Sequence, residues 1–310
     1  MNSKKCSVLS AQLDEPAAST AHSALITHHS CQWLIHDRTL DLSTRALIMG
    51  IVNVTPDSFS DGGRWLDESQ AVTHGLQLLA EGADILDIGG ESTRPGAEPV
   101  SLEEELRRTL PVIRGLRAQS TALISIDTFK GSVAEAALEA GADIINDISG
   151  LLRDPQMIDV AKASDCGLVV MHMKGEPRTM QANPAYADVV EEVGSFFTER
   201  LTTLEDAGID PRRVALDPGI GFGKSLEHNL ALLRALPEFQ ALSRPLLLGI
   251  SRKTMIGKLL GDLDMAQRDW PTIGLTSWLR EHGARILRVH DVKPNVEALR
   301  MIEAILNGVV

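Results

Sequence analysis

The stretch Ala83–Gly90 (ADILDIGG) is a short apolar run that ends at a carboxylate, Asp87, followed closely by two glycines. The same arrangement recurs along the chain in ALISIDT (122–128), ADIINDIS (142–149), GLVVMH (167–172), RVALDPG (213–219) and ARILRVH (284–290). Each run is followed by a helical pattern, and strands that alternate with helices bring such polar ends to one face of a (β/α)8 barrel. The repeated runs therefore predict a barrel with its site at the carboxyl ends of the strands.

Eight strand–helix units can be counted in the chain, which is the number that a closed (β/α)8 barrel needs. The predicted strands are 46–52, 85–88, 122–126, 144–148, 167–171, 214–216, 246–250 and 285–289. Four glycines end the helices that precede strands, as helix-terminating glycines do: Gly82, Gly141, Gly208 and Gly283. An open doubly wound sheet is the alternative, but no Gly-x-Gly-x-x-Gly turn follows the first strand. We therefore predict an α/β fold of the TIM-barrel type.

The flanking segments complete the predicted domain. Residues 32–42 alternate between apolar and polar positions, which predicts a β-hairpin that closes the amino-terminal end of the barrel. The clearest helical pattern spans residues 188–206, and the last helix is predicted to open at Pro294 and to end near Gly308. Residues 1–31 are rich in Ser, Ala, Thr and His, and we expect a disordered tail before a single domain of residues 32–310.

The composition argues against several classes of function. A net charge of −12 disfavours a nucleic-acid partner, because phosphate backbones are bound by basic faces. No apolar stretch approaches the about 20 residues of a membrane span, and residues 1–30 lack the apolar core of a secretory signal. The three cysteines have no metal-binding spacing, which favours a reducing, cytoplasmic compartment.

Three polar residues, Asp127, Asn146 and Asp217, end three of the predicted strands and would point into one pocket. Two carboxylates and a carboxamide supply many hydrogen-bond acceptors, which suits a flat heterocycle with several N–H donors, such as an aminopyrimidinone. A carboxylate can hold an N–C–NH2 edge through two parallel hydrogen bonds. The structural alternative is a buried aspartate paired with Lys253 or Arg288.

A cationic group follows the last two strands, where many barrels hold phosphate. Ser251 and Lys253 follow the seventh strand, while Arg288 and His290 end the eighth. Together these side chains would form a locally positive pocket in an acidic protein. We interpret Arg252, in the same stretch, as one half of a surface salt bridge.

The loops after the first two strands are longer and more polar than a connection requires. Asn53 and the acidic residues of 54–63 offer hard oxygen ligands, which suit Mg²⁺. Thr93 offers a hydroxyl and Arg94 a phosphate contact in the second loop. At the start of that loop, Asp87 can be a site residue or the structural partner of a strand-end cation, and the sequence does not choose between these roles.

The glycine-rich segment 217–224 (DPGIGFGK) lacks the Gly-x-x-x-x-Gly-Lys-Ser/Thr pattern, so it is not predicted to be a phosphate loop. Phe222 in this segment can stack on an aromatic ligand. Met171 can form the opposite wall of the heterocycle site, although a methionine on a barrel strand is more often part of the core.

Together these motifs resemble those of the dihydropteroate synthases, the pterin-binding barrel enzymes of folate biosynthesis. The resemblance covers residues 33–310 and keeps the family order of the motifs. The motifs are MGIVNVTPDSFSDGG (49–63), DILDIGGESTRPGA (84–97), SIDTFK (125–130), ADIINDISG (142–150), MHMKGEPRTMQ (171–181), LDPGIGFGK (216–224), GISRK (249–253) and RVHDV (288–292).

The resemblance implies a homodimeric transferase that joins p-aminobenzoate to 6-hydroxymethyl-7,8-dihydropterin pyrophosphate and releases pyrophosphate. It implies pterin binding by Asp127, Asn146, Met171, Asp217, Phe222, Lys253 and Arg288. It implies diphosphate binding by Asn53, Thr93, Arg94, Arg288 and His290, with Asn53 as a ligand of Mg²⁺. The p-aminobenzoate site would comprise Thr93, Pro95, Phe222 and Ser251, and the residues that act in catalysis would be Asp127, Asp217, Lys253 and Arg288.

Three other functions fit parts of the pattern. A methyltetrahydrofolate-type methyltransferase would use the same pterin pocket, but it would leave the cations Arg94, Arg288 and His290 unexplained. A non-catalytic pterin-binding paralogue would be expected to lose polar site residues such as Asp127, and none is lost. A Schiff-base barrel would need a desolvated lysine, whereas we expect Lys253 to lie beside Asp217 and other polar groups.

Two features differ from the family pattern or bear on inhibition. The segment 268–281 (RDWPTIGLTSWLRE) is bulkier than the alanine-rich helix of many members, and its Trp270 and Trp278 bear on packing or on a dimer contact. No insertion is evident in the loops that would hold the aromatic amine. We therefore expect sensitivity to sulfonamides.

Overall fold

Eight parallel strands close into a barrel, as predicted, in a computed structural model that describes residues 31–55, 64–92, 97–176 and 179–308. An antiparallel hairpin comes first and consists of β1 (Gln32–Ile35) and β2 (Arg38–Asp41). The barrel strands are β3 (Leu47–Asn53), β4 (Ile85–Gly89), β5 (Leu123–Asp127), β6 (Ile144–Asp147), β7 (Gly167–Met171), β8 (Val214–Asp217), β9 (Leu246–Leu248) and β10 (Ala284–Val289). Each strand pairs in parallel with the next, and β10 pairs with β3 to close the barrel.

Helices surround the barrel on its outside. They are α1 (Arg64–Ala80), α2 (Leu102–Arg117), α3 (Gly131–Glu139), α4 (Gln156–Ala163), α5 (Val189–Asp206), α6 (Leu226–Arg234), α7 (Leu236–Phe239), α8 (Thr254–Leu259), α9 (Asp269–Glu281) and α10 (Val292–Asn307). The α5 helix agrees with its predicted span, and Asp188 caps it by accepting hydrogen bonds from the amides of Val190 and Glu191. Among the described residues, no helix combines the length and the apolar character that crossing a bilayer requires.

Two element boundaries differ from the prediction by two residues, whereas the other predicted strand boundaries agree to within one residue. The α10 helix begins at Val292, two residues before Pro294. A proline is tolerated there because the N–H groups of the first helical turn have no partner within the helix. The β9 strand ends at Leu248 and not at residue 250, since the chain turns at Ser251 and Arg252, where Arg252 has a φ of 58°. The four predicted helix-terminating glycines all have positive φ.

Side chains alternate along each barrel strand between the helix layer and the interior. In β4, for example, Leu86 and Ile88 pack under the helices, while Ile85 faces the interior. Asp87, two residues after Ile85, therefore also points inward. The interior is apolar at the amino end of the strands and polar at their carboxyl end, which places a polar pocket above an apolar floor.

The hairpin closes the amino-terminal end of the barrel, as predicted. Trp33 and Ile35 are buried against the inward-facing side chains at the beginning of the strands. These are Leu47, Met49, Ile85, Ile144, Val169, Ala215, Leu247 and Ile286. The Trp33 indole Nε1 donates a hydrogen bond to the Arg213 carbonyl at 2.8 Å, so both apolar packing and this hydrogen bond hold the ring in place.

We expect Trp33→Ala to lower the free energy of unfolding by about 3–5 kcal/mol, because it empties a fully buried indole site. Urea denaturation followed by circular dichroism measures this loss. Leu152→Ala is the control, since Leu152 is 58% exposed, and it should change stability by less than about 0.5 kcal/mol. Equal losses for the two variants would mean that the hairpin does not contribute to the barrel core.

Candidate active site

A network of charged side chains fills the interior at the carboxyl end of the barrel. The Arg288 guanidinium of β10 donates from Nε to Asp87 Oδ2 at 2.6 Å and from Nη2 to Asp127 Oδ2 at 2.8 Å. The Asn146 amide nitrogen lies 3.2 Å from Asp87 Oδ2. We call these three charged residues, Asp87, Asp127 and Arg288, the carboxylate–arginine network. Parallel pairing from β4 through β6, and the closure of the barrel by β10, bring the network and Asn146 together.

Burial controls the protonation of this network. It raises the pKa of Asp127 to about 7, an effect that Arg288 opposes and the neighbouring charge of Asp87 reinforces. Burial also disfavours the charged guanidinium, but Asp87 and Asp127 outweigh that effect, so the pKa of Arg288 is raised. The pKa of Asp127 therefore lies much closer to neutral pH than that of an exposed carboxyl.

A second group of side chains surrounds the segment that follows β8. Asp217 is buried and accepts a hydrogen bond from the Gly219 amide at 2.7 Å. The Lys253 ammonium donates to the Ile220 carbonyl at 2.7 Å and lies 4.1 Å from the centroid of the Phe222 ring. This group combines an acceptor, a cation and an aromatic face, which are the elements needed to hold a flat polar ring.

The electrostatics of this second group depart from one expectation. Burial lowers the pKa of Lys253 to about 8, and the nearby Asp217 only partly offsets it, so the lysine is desolvated as well as placed among polar groups. Burial likewise raises the pKa of Asp217. Lys253 thus lies beside Asp217, as expected, but it is also desolvated, so its surroundings do not by themselves exclude a Schiff base.

The rim of the pocket carries Ser251, His290 and Asn53. His290 Nδ1 lies 3.0 Å from Ser251 Oγ, which also accepts the His290 backbone N–H at 3.3 Å. Asn53 ends β3 opposite Gly89, and a Cβ at Gly89 would lie 3.8 Å from Asn53 Oδ1 and 3.7 Å from Asp127 Oδ2. Glycine at this position leaves open the space between the carboxamide and the carboxylate.

The structure brings most of the predicted site residues to the carboxyl end of the barrel. They are Asn53, Asp127, Asn146, Met171, Asp217, Phe222, Ser251, Lys253, Arg288 and His290. The predicted contacts of Thr93, Arg94 and Pro95, and those of the loop 56–63, lie outside the described residues. Arg252 pairs with Asp269 (Nε to Oδ1, 2.6 Å), which agrees with its interpretation as a salt-bridge residue.

Sequence reasoning missed two residues of the site region. The sequence does not choose a role for Asp87, which proves to be a fully buried residue that Arg288 and Asn146 share as a hydrogen-bond partner. Lys224 received no role, although it is 2% exposed and bonded to His172 and Phe222. The available signal is a lysine at the end of a glycine-rich segment. The sequence pattern excludes a phosphate loop for this segment but indicates no other role for its lysine.

The fold and the site together define a class of protein. Acidic and amide acceptors lie deep in a parallel barrel, while an arginine, a lysine and a serine–histidine pair stand around them. Such an arrangement suits a barrel enzyme whose ligand combines a polar heterocycle with an anionic group.

Comparisons with known proteins narrow this class. Residues 49–290 match the sequence profile of the family described as pterin binding enzyme. Dihydropteroate synthase of Escherichia coli (strain K12) is 46% identical over 270 residues, which cover 87% of this chain and 95% of that protein. The chain therefore belongs to the pterin-binding enzyme family, among the dihydropteroate synthases, which are transferases.

Solved structures agree with this assignment. Xanthomonas albilineans dihydropteroate synthase with 4-aminobenzoic acid superposes with a TM-score of 0.83 at 48% identity, over 89% of this chain and 98% of that one. The Burkholderia cenocepacia enzyme complexed with 7,8-dihydropteroate gives a TM-score of 0.81 at 42% identity, over 90% and 98% of the two chains.

Proposed function

We propose that this chain condenses 6-hydroxymethyl-7,8-dihydropterin pyrophosphate with p-aminobenzoate to give 7,8-dihydropteroate and pyrophosphate. The observation that carries the proposal is the carboxylate–arginine network beneath a pocket that also holds Asn146 and Asp217. The acceptors match the N–H groups of an aminopyrimidinone ring, and the arginine can reach the anionic substituent of that ring. The Burkholderia cenocepacia relative was solved with 7,8-dihydropteroate.

In the proposed complex, Asp217 and Asn146 bind the pterin edge, and Lys253 donates to its ring. Met171, which is 3% exposed and ends β7 opposite Asp217, supplies an apolar wall, and Phe222 supplies the aromatic one. A ligand that lacks the N–H groups is expected to bind less well, because the buried Asp217 carboxylate would gain no hydrogen-bond donor beyond the Gly219 amide.

The proposed reaction begins when the bond between the pterin methylene carbon and the diphosphate oxygen breaks, and the electron pair leaves with the diphosphate. Positive charge on the carbon spreads into the ring, where Asp127 and Asp217 stabilise it. Arg288 and His290 bind the departing anion. The arylamine nitrogen then forms a bond to the carbon and loses a proton. No covalent intermediate with the protein is needed.

Mg²⁺ fits the donor set at the rim as the ion that accompanies the diphosphate. Within the described ranges, no group of three or more His, Cys, Asp or Glu side chains could enclose a metal. Asn53 would instead be a single protein ligand, and Mg²⁺ commonly accepts few protein ligands when phosphate oxygens and waters complete its shell. When bound, the ion would offset negative charge on the leaving diphosphate.

Removal of Mg²⁺ by a chelator is expected to abolish product formation, and Asn53→Ala should raise the Mg²⁺ concentration for half-maximal rate about tenfold. A Mg²⁺ titration of the initial rate measures both effects. Asn307→Ala, at the carboxyl end of α10, is the matched control and should titrate like the parent protein. An unchanged titration for Asn53→Ala would remove Asn53 as the ligand.

A sulfonamide is expected to inhibit the reaction in competition with p-aminobenzoate. The reason is that the proposed arylamine site, formed by Ser251 and Phe222 in the described part of the chain, recognises an aniline ring and an acidic group opposite it. Initial rates at several concentrations of both compounds measure the inhibition pattern. Inhibition that p-aminobenzoate cannot relieve, or none at all, would contradict the assigned site.

We also propose that the protein acts as a homodimer in the cytoplasm. Three apolar side chains are exposed on α9 and α10, namely Trp270 (80%), Met301 (66%) and Ile305 (71%), and such side chains often mark an interface. The Trp278 ring instead stacks on the His282 ring, with 3.9 Å between the two ring centroids. Sedimentation equilibrium should give twice the chain mass of 33.6 kDa, and the mass of one chain would contradict the dimer.

The experiment that tests the proposed reaction follows pyrophosphate and 7,8-dihydropteroate together. Purified protein is incubated with Mg²⁺, p-aminobenzoate and the dihydropterin pyrophosphate, and each substrate is then omitted in turn. Product that requires both substrates supports the synthase. Tight pterin binding without product would indicate the non-catalytic paralogue, and methyl transfer from methyltetrahydrofolate would indicate the methyltransferase.

A further inference from the structure

A buried lysine outside the pterin pocket has three hydrogen-bond acceptors around it. Lys224 is 2% exposed, and its Nζ lies 3.0 Å from His172 Nδ1, 3.1 Å from the His172 carbonyl and 3.0 Å from the Phe222 carbonyl. Three acceptors satisfy the three N–H donors of an ammonium group. The acceptors come from two separate loops, so this one side chain joins the chain after β7 to the chain after β8.

Burial accounts for the proton arrangement at this contact. Together with the adjacent Lys224 charge, it lowers the pKa of His172 to about 3, so the ring is neutral and can accept at Nδ1. Burial also lowers the pKa of Lys224 to about 7. A lysine that must lose its hydration in this way is costly to bury. The three acceptors offset this cost, and an apolar side chain would leave the His172 and Phe222 carbonyls without this donor.

The segment 217–224 lies directly on the backbone of the neighbouring loop. A Cβ at Gly219 would approach the His172 carbonyl oxygen to 1.9 Å, and one at Gly223 would approach the Lys174 carbonyl oxygen to 2.0 Å. Both glycines have positive φ, 65° and 63°. Both positions need glycine, because a Cβ would collide with a carbonyl oxygen and because φ is positive. Lys224 anchors the end of the segment through its hydrogen bonds.

The other side of the same segment faces the proposed substrates. The Ile220 carbonyl accepts from Lys253, and the Phe222 ring lies under the same ammonium. Phe222 is thus held from one side by its carbonyl bond to Lys224 and presents its ring on the other side. A shift of the segment by a few tenths of an ångström would move both Phe222 and Lys253.

We propose that Lys224, together with His172, is a positioning pair that fixes the segment 217–224, so that Phe222 and Lys253 meet the arylamine and the pterin in the correct alignment. The proposal rests on the proposed synthase function for its substrates, but the positioning itself is a property of the loop. Alignment of reacting groups is sensitive to small displacements, which is why such a residue can matter without touching a substrate.

Lys224→Met tests the proposal, because it keeps the apolar stem and removes the donors. We expect at least about tenfold faster backbone hydrogen exchange in residues 219–223 and an increase of about tenfold or more in KM for p-aminobenzoate. His172→Phe keeps the packing of the ring against Phe196 and both carbonyl acceptors, so its effects should have the same direction and be smaller, about threefold.

Arg213→Met is the matched control for a buried cation. Arg213 donates to the carbonyls of Ala161 and Cys166 at the amino-terminal end of the barrel. Its loss should lower stability and the amount of folded enzyme, and so kcat, while KM and exchange in 219–223 stay unchanged. If Lys224 only stabilised the fold, Lys224→Met would show the same pattern as Arg213→Met.

The outcomes distinguish failure of the positioning role from failure of the proposed synthase reaction. Unchanged exchange in 219–223 and unchanged KM in folded Lys224→Met would overturn the positioning role. If Lys224→Met does not fold, the same result in His172→Phe would overturn it. Faster exchange in these variants, with a parent protein that forms no dihydropteroate, would support the positioning pair and would reject the synthase reaction instead.

Discussion

Replacing Asp127 by asparagine is expected to lower kcat/KM for dihydropteroate formation by about 10³-fold. The change keeps the size of the side chain but removes a charge that the proposed reaction places beside a developing cation, and such a group is commonly worth about 10²–10³ in rate. It also leaves Arg288 facing an amide and not its carboxylate partner, which lies 2.8 Å away in the parent protein. Steady-state kinetics with both substrates varied measure the loss.

Asp147→Asn is the control for the Asp127 variant. Asp147 is a buried carboxylate at the end of β6, but strand alternation directs it away from the interior, and it accepts hydrogen bonds from Ser149 and Leu151. We expect this variant to lose stability and to keep kcat/KM within about threefold. An Asp127→Asn enzyme that retains full kcat/KM would remove Asp127 from the reaction.

Arg288→Met is expected to lower activity strongly and to destabilise the fold in a pH-dependent way. Without the guanidinium, the carboxylates of Asp87 and Asp127 are buried with no cation between them, which should cost about 3 kcal/mol or more of unfolding free energy near pH 8. Loss of the contacts to the departing diphosphate should lower kcat/KM by about 10²–10³-fold. Chemical denaturation and steady-state kinetics measure the two effects.

The sign of the pH dependence follows from Asp127. Its pKa in the folded protein is about 7, above the value of about 3.9 expected in the unfolded chain. A raised pKa favours the folded state at low pH, and this contribution is lost as the pH rises through about 7. Removing Arg288 raises the pKa of Asp127 further, so the difference in stability between variant and parent should grow from pH 5 to pH 8.

Arg252→Met is the control for the arginine variant. Its partner Asp269 and the arginine itself are each about one-quarter to one-third exposed, so the pair should contribute about 1 kcal/mol or less, with no trend between pH 5 and pH 8. If Arg288→Met loses the same stability at pH 5 and at pH 8, titration of the buried carboxylates does not cause the loss.

The barrel could be predicted because its strands carry a local signal. Each strand is a short apolar run, and polar ends such as Asp127, Asn146 and Asp217 mark where the run reaches the carboxyl face. Where the polar end is less distinct, the prediction was less accurate. The β9 strand has no polar residue until Ser251, and it ends at Leu248, earlier than predicted.

The partners of the site residues could not be predicted, because they are set by closure of the barrel and not by sequence spacing. Asp87 and Arg288 are 201 positions apart, and only the pairing of β10 with β3 brings their side chains within 2.6 Å. The position of Lys224 is similarly nonlocal, since its acceptor His172 belongs to the preceding β7 loop. Composition gives no measure of how deeply such a lysine is buried.

The hairpin at the amino end has a consequence for the order of events during turnover. With Trp33 and Ile35 filling that end, ligands reach the interior only from the carboxyl side in the described part of the chain. Asn146 lies within a strand, whereas Ser251 lies beyond the end of β9, so in the proposed reaction the pterin would have to pass the arylamine position to reach its own. An early arylamine would obstruct that passage. The shape of the barrel should therefore impose an ordered mechanism, in which the pterin binds first and the joined product leaves last.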